Sequence, residues 1–141
     1  MTDQLDNTAA DGTYDLLDIA DLGVDGVRRC LDLAAIDPSE LGAPLAGQGV
    51  ALIFEKPSNR TRQSSEMAVV QLGGHPVYTR GEEIGFDTRE PVEDIAQVMA
   101  GYHAVLAARV LQHHTLVRLA SASNVPVVNL LSDHSHPLQA L

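Results

Sequence analysis

The chain has 141 residues, a formal net charge of −10, 45% hydrophobic residues and a single cysteine, Cys30. That length suits one domain with a hydrophobic core of its own, and one cysteine excludes an intramolecular disulfide or a cysteine-built metal cluster. An excess of carboxylates argues against a nucleic-acid surface, and the lack of a secretory leader or an apolar run of spanning length predicts a cytoplasmic protein with no membrane partner.

The acidity lies at the front: residues 1–40 hold ten acids and two bases, and the remainder nine acids and seven bases. Residues 1–13, rich in Asp, Asn, Thr and Gly, bury too little apolar surface to order themselves and are expected to form a flexible acidic leader. From Tyr14 onward Leu17, Ile19, Leu22, Val27, Leu31 and Ala34 recur at helical spacing, interrupted near Leu22-Gly23 and ended by Asp37-Pro38. One or two helices are predicted there, followed by a Gly-rich connection over Leu41–Gly49.

Beyond Gly49 short apolar runs alternate with longer helical patterns. Val50–Phe54, Pro76–Tyr78, Ala104–Ala108 and Pro126–Leu131 read as strands, and Thr61–Leu72, Val92–Tyr102 and His114–Ser123 as helices. Such alternation predicts an α/β fold: a three-layer sandwich with a four-stranded, mainly parallel sheet and helices on both faces. Ligands in such sheets collect at the carboxyl ends of the strands, where Ser58, Arg109 and His136 all fall.

The segment after Phe54 carries the most chemistry. Ser58 and Thr61 offer hydroxyls, Asn59 an amide and a backbone N–H, Arg60 and Arg62 planar guanidinium forks, and Lys56 a further charge, all where a strand turns into a helix. A helix N-terminus presents unpartnered N–H groups and partial positive charge, which suits phosphate; Ser58 is equally able to serve as a plain N-cap. Arg109 at the end of an apolar strand needs an anionic or carbonyl partner unless it simply reaches solvent. His136 and Gln139, three apart, share a face if Pro137 opens a helix, and otherwise stand exposed on a capped loop. His113-His114 does not make a metal site, since adjacent histidines rarely chelate one ion and no third ligand stands at helical spacing; His134 reads as a solvated loop histidine.

Phe54-Glu55-Lys56-Pro57-Ser58-Asn59-Arg60-Thr61-Arg62, with Glu66 one turn on, resembles the carbamoyl-phosphate loop of the aspartate and ornithine carbamoyltransferases. His136-Pro137-Leu138-Gln139 is similar to that family's His-Pro-x-Gln motif, and Ala104–Arg109 to the strand that delivers its third ligand-binding arginine. The Glu-Lys-Pro-Ser wording and Leu72-Gly73-Gly74-His75-Pro76 resemble the ornithine branch more than the aspartate branch.

The resemblance implies a carbamoyl-phosphate-binding domain over residues 14–141, with the family's second, ornithine-binding domain absent from this sequence and trimers as the assembly. It implies that Ser58, Asn59, Arg60 and Thr61 hold phosphate, that Arg109, His136 and Thr61 polarise the carbamoyl oxygen, and that Gln139 binds the carbamoyl amine. Glu83 falls where some members carry Gln near a neighbouring subunit's ligand, so its acid needs a compensating arginine such as Arg80 or Arg89. No metal and no cofactor are implied. The expected activity is transfer of a carbamoyl group to ornithine, with this half inactive by itself. The alternatives are an aspartate-type half, a non-catalytic binding module, or an α/β domain whose loop merely caps a helix.

Overall fold

The computed structural model describes residues 14–141; the expected leader over residues 1–13 lies outside the described residues. In chain order the elements are α1 (Gly23–Ala34), β1 (Gly49–Phe54), α2 (Asn59–Gln71), β2 (His75–Arg80), α3 (Gly81–Ile84), α4 (Val92–Ala100), β3 (Val105–Arg109), α5 (His113–Ala122), β4 (Val127–Leu131) and α6 (Pro137–Ala140). Every strand pairing is parallel, in the order β2-β1-β3-β4.

Val50–Phe54 of β1 are buried without interruption, as an apolar run is when helices cover both faces of a sheet. Side chains of a strand alternate in direction, and the alternation sorts the core into two layers. Ala51 and Ile53 join Leu106, Ala108 and Val127 beneath Val92, Ile95 and Ala96 of α4 and Leu116 and Leu119 of α5. Val50, Leu52 and Phe54 face the other way with Ala107 and Leu130, against Val69 of α2. The three-layer α/β arrangement expected from the alternating pattern is the one observed.

Because Phe54 pairs with both Arg80 and Arg109, and Arg109 with Leu131, all four strands end at one level. The segments that leave them, 55–58, 81–91, 110–112 and 132–136, therefore share one edge. Strand order reverses between β1 and β3, and that switch point is where an open α/β sheet forms its crevice. The β3–β4 register also shifts between Ala108 and Arg109, an irregularity of the kind that re-aims a side chain beside a site.

Two regions differ from expectation. Tyr14–Asp18 does not begin a helix: Leu16 makes a parallel bridge to Val128, donating to the Val127 carbonyl at 2.8 Å and accepting from Asn129 N–H at 2.8 Å. An edge strand leaves a row of unpaired backbone groups, and this segment satisfies some of them on β4. A 3₁₀ turn over Ile19–Leu22 follows, capped by Asp18, before α1 starts at Gly23. The acidic stretch after β2, to which the apolar pattern assigns no element, contains the four-residue helix α3.

Two glycines are set by geometry. Gly73 has φ +83° at the end of α2, and a Cβ there would meet Ala43 at 2.9 Å. A Cβ on Gly81 would lie 2.9 Å from Glu55 Cα, so α3 leaves β2 in direct contact with the segment that follows β1.

Candidate active site at the switch point

The turn after β1 is tied to the end of β3 before it reaches α2. Glu55 N–H donates to the Arg109 carbonyl at 2.9 Å, and the Glu55 carboxylate accepts from Leu111 N–H at 2.8 Å. Two backbone segments far apart in sequence are thus fixed across the crevice. The second of these bonds had no sequence signal, because its partners lie 56 positions apart.

Ser58 is the extended N-cap of α2 (φ −155°, ψ 112°), yet its hydroxyl makes no capping bond, and no acid occupies the first turn. The positive end of the helix is therefore not neutralised by its own sequence. Asn59 accepts from Gln63 Nε2 at 2.7 Å through its carbonyl oxygen, which engages the acceptor end of its amide.

A cavity of about 250 Å³ opens beside this N-terminus, lined by Arg60, Thr61, Ser64, Ser65, His136, Leu138 and Gln139. Four of the residues singled out in the sequence thus meet in one place, from the starts of two helices 75 residues or more apart in numbering. His136 is the N-cap of α6 with Pro137 as the first helical residue, and this short turn presents His136 and Gln139 to the same cavity. Ser64 and Ser65 were not anticipated. Their signal was positional: they stand three and four residues after Thr61, on the face it presents.

Arg109 does not line the cavity but lies close to it. Its Nε and the Nδ1 of His136 are both buried and, among the described residues, without a hydrogen-bond partner. Leaving buried polar atoms unpaired costs about 1–3 kcal/mol each, which a bound anion or carbonyl at this point would offset. Burial, and secondly the Arg109 charge, push the His136 imidazole below the ordinary histidine value, so it is neutral near pH 7.

Other candidates are engaged elsewhere. Arg62, expected to offer a second phosphate fork, donates from Nε to Glu66 at 2.9 Å and lies 3.6 Å over the Tyr78 ring. Its partner one helical turn on and the neighbouring aromatic take the guanidinium away from the cavity. Glu83 is exposed on α3 and does not line the cavity; Arg80 contacts its carboxylate at 3.5 Å, while Arg89 donates to its backbone carbonyl at 3.1 Å. Of the two arginines considered as its compensating charge, Arg80 is the one that reaches the acid. Lys56 is exposed.

A second, more open recess of about 440 Å³ is lined by Gln112, His113, His114, Asp133 and His134. His134 packs against the His113 ring at 4.8 Å and lies 3.7 Å from Asp18, so it is less solitary than a solvated loop histidine. Among the described residues no group of three or more His, Cys, Asp or Glu side chains could hold a metal ion, and no helix is long and apolar enough to cross a membrane.

Residues 14–141 match the family described as aspartate/ornithine carbamoyltransferase, carbamoyl-P binding domain. An ornithine carbamoyltransferase of Thermus thermophilus is 47% identical over 129 residues, which cover 90% of this chain and 43% of that protein. A crystal structure of ornithine carbamoyltransferase from Thermus thermophilus, 47% identical, superposes with a TM-score of 0.81 over 89% of this chain and 45% of that one. An ornithine carbamoyltransferase of Hyperthermus butylicus is 43% identical over 133 residues, covering 90% of this chain and 42% of its own length. The anabolic ornithine carbamoyltransferase of Campylobacter jejuni, 31% identical, superposes with a TM-score of 0.85 over 91% of this chain and 42% of that one. The chain thus spans less than half the length of these relatives.

Proposed function

The chain belongs to the aspartate/ornithine carbamoyltransferase family through its carbamoyl-phosphate-binding domain, and from that premise we propose that it binds carbamoyl phosphate at the β1–β3 switch point as one half of an ornithine carbamoyltransferase. The observation that carries the proposal is the shared cavity of Arg60, Thr61, His136 and Gln139, beside a helix N-terminus with no acid in its first turn. The phosphate is held by the first-turn amides of α2 with Ser58, Asn59, Arg60 and Thr61. Arg109, His136 and Thr61 direct donors at the carbamoyl oxygen, and Gln139 takes the carbamoyl amine. The unpaired Nε of Arg109 and Nδ1 of His136 support that placement.

In the transfer, the lone pair of the neutral ornithine side-chain amine forms a bond to the carbamoyl carbon, negative charge grows on the carbamoyl oxygen and returns as the C–O bond to phosphate breaks, and the leaving phosphate takes up the proton that the amine nitrogen gives up. No covalent enzyme intermediate is required. The reaction needs positioning and donors aimed at the growing oxyanion in a water-poor cleft. A His136 that is neutral before the substrate arrives fits a hydrogen-bond donor, since a neutral imidazole still carries one N–H.

Ornithine as acceptor rests on the identity to ornithine carbamoyltransferases and on the Glu55–Ser58 wording. A cytoplasmic location, expected from the sequence reading, and a trimeric assembly, expected from the resemblance, belong to the same proposal, and cell fractionation and sedimentation test them. Calorimetric titration of the 141-residue chain with carbamoyl phosphate tests the binding half of the reading. Binding is expected, with Arg60→Ala weakening it about 10- to 100-fold, the equivalent of a charged hydrogen bond worth about 1.5–3 kcal/mol. The same chain given ornithine and carbamoyl phosphate is expected to release no citrulline. Absence of heat and of any thermal shift at millimolar ligand would leave a capped helix and nothing more.

A further inference from the structure

His136 makes none of the bonds that hold its own loop. Two buried polar side chains at the end of β4 make them. Asn129 is fully buried and Ser132 is 6% exposed, in a strand end otherwise filled by apolar residues. The Asn129 amide nitrogen donates to the Leu17 carbonyl at 2.8 Å and lies 3.3 Å from both the Ser135 carbonyl and its hydroxyl, while its oxygen accepts from Leu131 N–H at 3.0 Å. The Ser132 hydroxyl accepts from the N–H groups of His134 and Ser135, both at 3.2 Å. Ser132 N–H closes the turn on the Ser135 carbonyl at 3.0 Å. His134 and Ser135 are both held by these two side chains, and the next residue is His136.

We infer that Asn129 and Ser132 are positioning residues, which fix the backbone of residues 132–135 so that the His136 imidazole is delivered beside Arg109 and into the cavity. A buried amide is retained at a strand end only where its donors and acceptor are satisfied, and here each bond runs to the loop, to β4 or to the segment that bridges β4. His113 adds a tie from the neighbouring helix: its Nδ1 lies 2.8 Å from the Ser132 hydroxyl, and its N–H donates to Asp133 at 2.7 Å. The loop is thereby held from three sides, by the N-terminal segment, by β4 and by the start of α5. The inference rests on the assignment of His136 to the carbamoyl-phosphate site.

The test follows the His136 ring by proton–nitrogen NMR during a pH titration of the ligand-free 141-residue chain and of Ser132→Ala, Ser132→Thr and Asn129→Ala. In the unsubstituted chain the ring titrates below the ordinary histidine value. In Ser132→Ala and Asn129→Ala its titration moves up toward the ordinary value and its resonances take on the averaged shifts of a mobile side chain, while Ser132→Thr, which keeps the acceptor oxygen, restores the original behaviour. A Ser132→Ala chain with unchanged circular dichroism and an unchanged His136 titration overturns the inference. Should Asn129→Ala fail to fold, the Ser132 pair decides alone, since loss of one hydroxyl on a loop leaves the apolar core intact. No carbamoyl phosphate is present, so a negative result counts against the positioning role only; failure of the unsubstituted chain to bind that ligand counts against the site itself.

Discussion

In the proposed site His136 and Arg109 divide the chemistry between them. Arg109 supplies a planar guanidinium fork, whereas the His136 proton is held weakly because burial and the adjacent guanidinium oppose it. In a complete enzyme that contains this half, His136→Ala is therefore expected to lower kcat more than it weakens carbamoyl-phosphate binding, by about 100-fold against less than tenfold, and steady-state kinetics beside direct titration separate the two. The same depression has a stability consequence. A histidine whose folded value lies below its unfolded value near 6.5 costs nothing above that pH, and the loss grows as pH falls through 6.5 until the folded value is passed. His113 shifts in the same direction, chiefly through burial and then through His134. Thermal unfolding is thus expected to show lower Tm at about pH 5.5 than at pH 7.5, a difference reduced by His136→Gln. Arg60, Thr61, His136 and Gln139 were legible because short motifs place donor types at strand ends. The second fork offered by Arg62 is instead engaged by Glu66 and the Tyr78 ring, partners whose packing the motif alone does not reveal.

At the level of elements, the loop between α3 and α4 and the start of α4 are tied to α5 by Arg118. Arg118 of α5 holds Asp87 at 2.7 and 3.0 Å and Glu93 at 2.6 and 2.7 Å, and Asp87 sits in the left-handed region at φ 54°. Both carboxyl groups are held below their usual range, first by hydrogen bonds from Arg118. Groups depressed in this way stabilise the fold above their unfolded values, near 4, and lose that stabilisation as pH falls through the lower folded values. Arg118→Ala is expected to speed amide exchange in residues 85–93 at neutral pH, and the difference from the unsubstituted chain should vanish in acid. Gly81→Ala probes the other join, because the new methyl group has only Glu55 backbone to displace. It is expected to weaken carbamoyl-phosphate binding more than it lowers Tm. Strands and long helices were readable from apolar runs of the right length, within about two residues at most ends. The bridge at Leu16 was not, since nothing local marks a segment whose role is to pair with residues more than a hundred positions away.

For the molecule as a whole, the parallel sheet supplies both stability and geometry. Leu106 is fully buried at the centre of the layer shared with α4 and α5, so Leu106→Ala is expected to lower unfolding free energy by about 2–5 kcal/mol, read from urea denaturation. The α/β class and the gathering of Ser58, Arg109 and His136 at one sheet edge followed from alternation alone, whereas the order β2-β1-β3-β4 did not, because pairing between distant strands is set by the assembled core. That order matters, since it opens the crevice between β1 and β3 at the point where α2 begins. The most direct test is amide chemical-shift mapping of the 141-residue chain as carbamoyl phosphate is added. The expected result is a set of saturable shifts confined to Ser58–Thr61, Arg109 and His136–Gln139. Shifts scattered over other surfaces, with these residues unmoved, would contradict a carbamoyl-phosphate site at the switch point.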